Sequence, residues 1–429
     1  MNVRGWWPAF RRWLDDRLGL EAVLGFLRHK TVPKSGHTVW MYTGSAILIF
    51  FAVQVVTGVI LAFYYRPTLE EANSSIARII TDVPLGWVVR SIHSWSATFM
   101  IAFVLIHMVS IWLLKSYRKP RELTWMSGVL LLLCALFFGF TGYLLPWDNL
   151  SLAATKIGTD IPSAVPVVGG FFTKVLRGGE DVSGETLSRF FTIHVSVLPM
   201  ALLAILALHV FLIQKLGMSL PLEAEARKKR LPEIPFWPNF VFREAVLWLV
   251  LFGVLLSVAV FLPPGLSGAA DLRAPAPEGI KPEWYFLFLF QTFKIFPPKI
   301  WFLQGETAAV FCILAAVLFF FFIPLIDNKP ASRKGKVLTV VAWVLLAYAL
   351  AMSVWSLAGP KPAAEAAGAS QELAAGPKSA VERTGIYVFL VWMWAMIGFL
   401  VFVLRAKVRE VDKLNAIGYF GDKNGPAKQ

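Results

Sequence analysis

Charge is scarce in this chain. Asp, Glu, Lys and Arg make up 16% of its 429 residues, against about 25% in a soluble globular domain. With 57% hydrophobic residues and a mean hydropathy of +0.63, the shortage excludes an ordinary soluble fold. Cysteine is scarcer. Cys134 and Cys312 both fall midway along apolar runs and read as packing residues. No C-x-x-C-H motif occurs, which excludes covalent haem attachment through that motif. Met1 to Arg28 lacks a clean apolar core and a small-residue cleavage site, so no cleavable signal peptide is expected there. Acid is also short, leaving a net charge of +14. The basic surplus sits in short loops between apolar runs, which points to topology and the membrane surface rather than to nucleic acid.

What the chain has is long apolar runs. Eight are long enough to cross a bilayer, which takes about 20 residues: 40–63, 86–114, 124–147, 190–214, 243–262, 304–326, 337–358 and 384–405. The fold class is therefore an all-α polytopic membrane protein. The 17 Trp and 35 Phe suit interfacial belts. Lys115, Arg118, Lys119 and Arg121 crowd one loop. Lys215 and the run Arg227, Lys228, Lys229, Arg230 crowd another, and Lys329, Arg333, Lys334 and Lys336 a third. The positive-inside rule puts these loops and both termini in the cytoplasm, with loops 64–85, 148–189, 263–303 and 359–383 outside. Residues 6–28 mix Trp6, Trp7, Phe10, Trp13, Leu14, Leu18, Val23 and Leu24 with Arg and Asp. That mixture suits an amphipathic helix on the membrane surface, the alternative being a disordered arm. His29 and His37, among basic residues, read as solvated.

The six histidines are few enough for their positions to matter. Four stand in two apolar runs, His93 and His107 spaced by 14, His194 and His209 by 15. Fourteen helical residues cover roughly 21 Å and return to within about 40° of one face. Two antiparallel helices so built offer two facing pairs, His93 with His194 and His107 with His209. A porphyrin iron takes neutral imidazoles as axial ligands. A single buried histidine would read as a hydrogen-bonded core residue, but two matched pairs predict a dihaem bundle in the first four spans. A kink at Pro199 would absorb the extra residue of the second pair. Gly44 and Gly58 are also 14 apart, as are Gly128 and Gly142. Glycine costs up to about 1 kcal/mol inside a helix, so the repeat suits a macrocycle edge close to backbone, with small-residue helix packing as the alternative. Arg90, three residues before His93, is placed either for a haem propionate or as an interfacial anchor.

A second chemical site lies between the fifth and sixth spans, in Lys281-Pro282-Glu283-Trp284-Tyr285. An ionised glutamate at the edge of apolar sequence is costly. Glu283 is positioned to take a proton from a bound hydroxyl compound, and Tyr285 and Tyr143 to line the same pocket. An interfacial Glu with aromatic anchors is the plainer reading.

Together these residues resemble cytochrome b, the haem- and quinone-binding subunit of the cytochrome bc complexes, over nearly all of 35–358. The His pairs, the spaced glycines, Arg90 and the Pro-Glu-Trp-Tyr motif carry the resemblance. Phe63-Tyr64-Tyr65-Arg66-Pro67, Lys119-Pro120-Arg121-Glu122-Leu123-Thr124-Trp125 and the 15-residue spacing look like the plastoquinol-oxidising b6f-type branch. That branch divides the protein into two chains, which are fused here. It also carries a cysteine for an extra haem, where this chain has Tyr42.

The resemblance implies two non-covalent b-type haems on His93/His194 and His107/His209. It implies quinol oxidation on the outer side, with Glu283 as proton acceptor, and one electron passing to a Rieske iron–sulfur protein. The other crosses through the haems to reduce quinone on the inner side, contributing to a proton gradient. At the inner site Phe211-Leu212-Ile213-Gln214-Lys215 holds no histidine, and Arg243-Glu244 resembles a basic-acidic pair used there, which makes Glu244 a candidate. The span 384–405 matches no counterpart.

The sequence thus predicts the cytochrome b subunit of a quinol–cytochrome c oxidoreductase in the respiratory chain. It would sit in a bacterial cytoplasmic membrane as a homodimer, with a Rieske protein and a c-type cytochrome. The expected organisation is a surface segment at 1–35, the dihaem bundle at 36–220 and a quinol-site domain at 221–358. A linker at 359–383 and a further span with a tail at 384–429 complete it. Two alternatives remain: a dihaem anchor passing quinol electrons to another dehydrogenase or reductase, and a transporter with buried histidines.

Overall fold

The computed structural model of the chain describes residues 3–35, 38–221, 230–273, 279–327, 333–359 and 380–416, with Ala224 and Gly376 besides. His37, the basic residues Arg227, Lys228 and Lys229, Lys329 and most of the 359–383 linker lie outside the described residues. In the described residues eight helices are long and apolar enough to cross a membrane. They run over Thr38–Ala62, Gly86–Leu113, Glu122–Leu144, Gly184–Leu216, Phe236–Phe261, Gly305–Ile326, Gly335–Ala358 and Glu382–Ala406. A lipid-exposed segment must satisfy its own backbone hydrogen bonds, so runs of this length and apolarity fold as helices. The fold is an all-α polytopic membrane protein. The fourth helix begins at Gly184, earlier than its apolar run, because its first turns are polar. Ser183 and Thr186 form a reciprocal cap there that hydropathy does not register.

Two compact units divide the chain. One comprises the N-terminal part up to Ser45, Met218–Val254 and the part from Val381 onward. Within it, helix α1 (Val3–Leu18) and helix α2 (Leu20–His29) lead into strand β1 (Thr31–Pro33). Strand β2 (Glu233–Pro235) pairs antiparallel with β1, Val32 opposite Ile234. Trp6 stacks on Phe10 at 5.1 Å and Phe10 on Trp13 at 6.0 Å, and the three Trp of α1 remain exposed. This is a helix with an aromatic face, as the amphipathic reading requires, and not an arm.

The second unit, Ala46–Gly217 with Leu255–Ala380, holds the histidines. It contains most of α3 (Thr38–Ala62), then α4 (Ala72–Thr81), α5 (Gly86–Leu113) and α6 (Glu122–Leu144). The peripheral helices α7 (Asn149–Asp160) and α8 (Gly169–Arg177) follow. Next come α9 (Gly184–Thr192), a π-turn over Ile193–Val197 and α10 (Leu198–Leu216). The rest is the end of α11 (Val241–Phe261), α12 (Leu287–Ile295), α13 (Gly305–Ile326) and α14 (Arg333–Ala358). Beyond it α15 (Ala380–Ala416) carries the last span. Helix α6 packs on α5, α10 and α13.

Polar contacts knit each end of this unit. At one end Tyr117 donates to Asp327 at 2.7 Å, Arg118 donates to both its carboxylate oxygens at 3.1 Å, and Lys115 lies 3.6 Å from it. Lys115 also donates to the Gly335 carbonyl. Asp327 is 1% exposed. An unpaired carboxylate could not stay buried there at acceptable cost. At the other end Asn73 donates to the carbonyls of Pro146 and Ser267, both at 3.1 Å. The Tyr65 hydroxyl donates to Leu145 O at 2.7 Å, and the Ala270 amide donates to Trp147 O at 2.9 Å. Loops far apart in sequence are thereby fixed around the end of the bundle nearest His93 and His194.

Candidate functional site

His93 projects from α5 and His194 from the π-turn. Their ring centroids lie 6.5 Å apart with the planes at 72°. A metal–imidazole bond is about 2 Å and the ring centre lies roughly 1 Å beyond the nitrogen, so two imidazoles on one ion sit about 6 Å apart. The spacing fits a shared iron. The outward nitrogens are engaged: Thr57 Oγ1 lies 2.8 Å from His93 Nδ1, and Thr141 Oγ1 lies 2.8 Å from His194 Nδ1. Gln54 donates to the His93 carbonyl at 2.6 Å. Beside each ring stands a glycine. A Cβ on Gly58 would come 3.3 Å from His93 Cε1, and one on Gly142 2.9 Å from His194 Cε1. These glycines therefore admit the imidazoles themselves. Their spacing suits a macrocycle edge or small-residue packing, and the contacts they make are with the imidazoles.

At the second pair, the hydroxyl and glycine contacts recur at His209. His107 on α5 lies within electrostatic reach of His209 on α10. Ser127 Oγ is 2.9 Å from His209 Nδ1. A Cβ on Gly128 would come 3.4 Å from His209 Cε1 and 3.7 Å from Met108 Sδ. Gly44 lies on α3, 14 residues before Gly58.

The 15-residue spacing has a structural answer. The Leu198 amide donates to the Ile193 carbonyl, five residues back, and the turn containing His194 is π. A π-turn inserts one residue into an α-helix, so His194 and His209 behave as if spaced by 14. Pro199 follows at once. Its missing N–H removes an α-type bond at that point, so the proline acts through this local rewinding.

Glu283 begins the 3-10 turn Trp284–Phe286. It is half-buried, and burial holds its carboxyl above the ordinary carboxylate value. Tyr285 is buried, and its phenol is pushed up by burial and by the nearby Glu283 and Tyr143. Glu283, Tyr285 and Tyr143 thus share one neighbourhood. Gly139, which the sequence reading passed over, makes room for it. A Cβ there would fall 2.6 Å from Tyr285 Oη. Gly139 precedes Gly142 by three residues on one face of α6, so Tyr285 lies about one helical turn from the contact with His194. Arg90 donates to the carbonyls of Pro264 at 2.5 Å and Gly265 at 2.8 Å, anchoring the loop after α11. Glu244, in the other unit, hydrogen-bonds Ser45, whose hydroxyl also accepts from Trp248 Nε1 at 2.7 Å. Tyr42 stacks on Phe240 in that unit, at 4.9 Å.

The hydroxyls on the imidazoles were also missed. The signal was present: Thr43-Gly44, Thr57-Gly58, Ser127-Gly128 and Thr141-Gly142 repeat a hydroxyl before each spaced glycine.

Paired histidines in an apolar helical bundle, beside a carboxyl–phenol pocket at one end, define a membrane electron-transfer class. Known families agree. Residues 27–217 match the family described as Cytochrome b/b6/petB, and residues 270–375 match Cytochrome b(C-terminal)/b6/petD. A cytochrome bc complex cytochrome b subunit from Chlorobaculum thiosulfatiphilum is 41% identical over 344 residues, 80% of this chain and 79% of that protein. Cytochrome b6 of Gracilaria tenuistipitata var. liui is 42% identical over 210 residues, 49% of this chain and 97% of that protein. A solved chain of a hyperthermophilic respiratory Complex III superposes with a TM-score of 0.72 at 26% identity, covering 92% of this chain and 99% of that one. The chain belongs to the cytochrome b family, as the multi-pass membrane subunit of a bc-type electron-transfer complex with both halves in one polypeptide. Membership implies b-type haems.

Proposed function

We propose that the chain is the cytochrome b of a quinol–cytochrome c oxidoreductase, oxidising quinol at the outer face and reducing quinone at the inner face of a bacterial cytoplasmic membrane. The facing imidazoles of His93 and His194, one helical turn from Tyr285, carry the reading. His93 with His194, and His107 with His209, would hold two non-covalent b-type haems, whose chemistry is one-electron transfer across the membrane. Residues 36–220 act as the dihaem bundle and 221–358 as the quinol-site domain. Residues 1–35 lie on the surface, and 384–429 add a span beyond the linker. Gly58, Gly128 and Gly142 keep the bundle open at the haem ligands, Gly44 remains a candidate by its spacing alone, and Arg90 fixes the loop that closes the quinol end.

Glu283 works as base at the quinol end. Burial keeps its carboxyl poised above the ordinary range, so it can take a proton and release it outward. Tyr143 and Tyr285 orient the substrate hydroxyl and exclude water. Glu244 serves the inner end, where a quinone must gain protons. The termini and the Lys115–Arg121 and Asp327–Lys336 loops face the cytoplasm, following the basic residues. A Rieske iron–sulfur protein and a c-type cytochrome accept electrons, and two copies of the complex pair. The purified protein should give a reduced-minus-oxidised spectrum of two b-type haems per chain, both extractable into acidified acetone. A haem-free protein would end this reading and favour a transporter.

A further inference from the structure

The hydroxyls against the imidazoles have one proton each, and its destination decides which tautomer the histidines adopt. Thr57 Oγ1 donates to Val53 O at 2.6 Å. Ser127 Oγ donates to Thr124 O at 2.9 Å, and Thr141 Oγ1 to Phe138 O at 3.2 Å. Each bond is to the hydroxyl's own helix, three or four residues back. With the proton spent there, only lone pairs face the imidazole. The 2.8–2.9 Å contacts at Nδ1 of His93, His194 and His209 are then Nδ1–H donating to the hydroxyl oxygen. Nε2 is left bare, as an iron ligand must be.

Resting on the two-haem reading above, we propose that Thr57, Thr141 and Ser127 are positioning residues that lock His93, His194 and His209 as Nδ1–H tautomers and tune the electron affinity of the iron that each ligates. Two features separate this from ordinary side-chain packing. The acceptor recurs at three imidazoles, from two helices, and each time the next residue is a glycine whose Cβ would lie against the same ring, 2.9 Å away at His194, 3.3 Å at His93 and 3.4 Å at His209. Glycine brings the ring close and the hydroxyl fixes its rotation and its proton. The acceptor is a neutral hydroxyl, joined at His209 by the Thr124 carbonyl, and not a carboxylate. It strengthens the imidazole as a donor only modestly, which suits iron that must be reduced readily by quinol. Outer-shell partners of ligating histidines fix the tautomer and raise ligand basicity in this way.

The test compares Thr141→Val with Thr141→Ser in the whole chain, assembled in its membrane complex. The readouts are haem per chain, redox titration of each haem, and the low-spin ferric electron paramagnetic resonance spectrum. Valine keeps the volume and removes the acceptor; serine keeps the acceptor. Thr141→Val should raise the midpoint potential of one haem and change its ferric signal, leaving the other haem unmoved, and Thr141→Ser should restore both. Loss of that haem in Thr141→Val alone, with Thr141→Ser normal, supports the same assignment. Two haems with wild-type potentials and spectra in Thr141→Val would overturn it. A wild-type protein with no haem would instead end the two-haem reading, so the two failures are distinct.

Discussion

At Gly142 a hydrogen atom separates the helix from the His194 ring. The imidazole cannot swing aside, because Thr141 on the preceding residue holds its Nδ1. Gly142→Ala should therefore drop the protein to one haem per chain. Gly128→Ala, where the added carbon would meet His209 at an ordinary 3.4 Å, should keep two. Haem extraction against protein concentration separates these outcomes. Glu283 gives a second prediction. It accepts a proton only when ionised, and burial raises its pKa. As the pH falls through that raised value the carboxylate protonates, and quinol oxidation should slow, with an acid limb lying above the ordinary carboxylate range. Glu283→Gln should turn over slowly, show no such limb and retain both haems. A pH–rate profile of the two proteins that overlaid would remove Glu283 from the role. The histidines, spaced glycines and Glu283 were legible because each is an odd residue type in apolar surroundings. Thr57, Ser127 and Thr141 were not, since a hydroxyl in a helix usually bonds its own backbone. Which hydroxyl also reaches a neighbouring ring is decided only by packing. The partners of Arg90 lie 174 and 175 residues away in sequence, and nothing local announces them.

Among the elements, the π-turn at Ile193–Val197 is the clearest case of register set by one residue. If it exists to bring a 15-residue spacing back to 14, then removing Ser196 and changing Pro199 to Ala together should let an unbroken α-helix form with both histidines still facing inward. Two haems should remain. Removing Ala204 instead, within the regular helix, turns one end against the other by about 100° and should cost a haem. Equal haem content in the two deletions would show that the π-turn has no such role. Hydropathy located every span here but could not see this turn, because its apolar residues read alike in either winding. The polar cluster around Asp327 is a second element-level device, joining the loop after α5 to the end of α13. Asp327→Ala leaves Arg118 and Lys115 without their shared carboxylate. Breaking a buried pair on one side costs about 3–5 kcal/mol, so the variant should lose its haem at a clearly lower temperature in detergent. An unchanged melting profile would mean that the cluster is solvated and weak.

Across the whole molecule, the two family matches stop at 217 and resume at 270, yet residues before and after Gly217 are tied together within one compact unit. Trp125 Nε1 donates to Phe320 O at 2.8 Å, and Ser91 to Ala259 O at 2.5 Å. Arg90, Asn73 and Asp327 add their bonds at the two ends. Residues 1–221 and 230–429 expressed together as two chains should co-purify with two haems, and failure to co-purify would mean that the connection is structural. If they do assemble, the fusion has a different consequence. Two separate chains must be made in matched amounts, and each surplus copy would leave a dihaem bundle without its quinol-site domain, or that domain without its bundle. A single polypeptide delivers the haem ligands and the Glu283 pocket in a fixed one-to-one ratio, so assembly is freed from any need to balance the synthesis of two products.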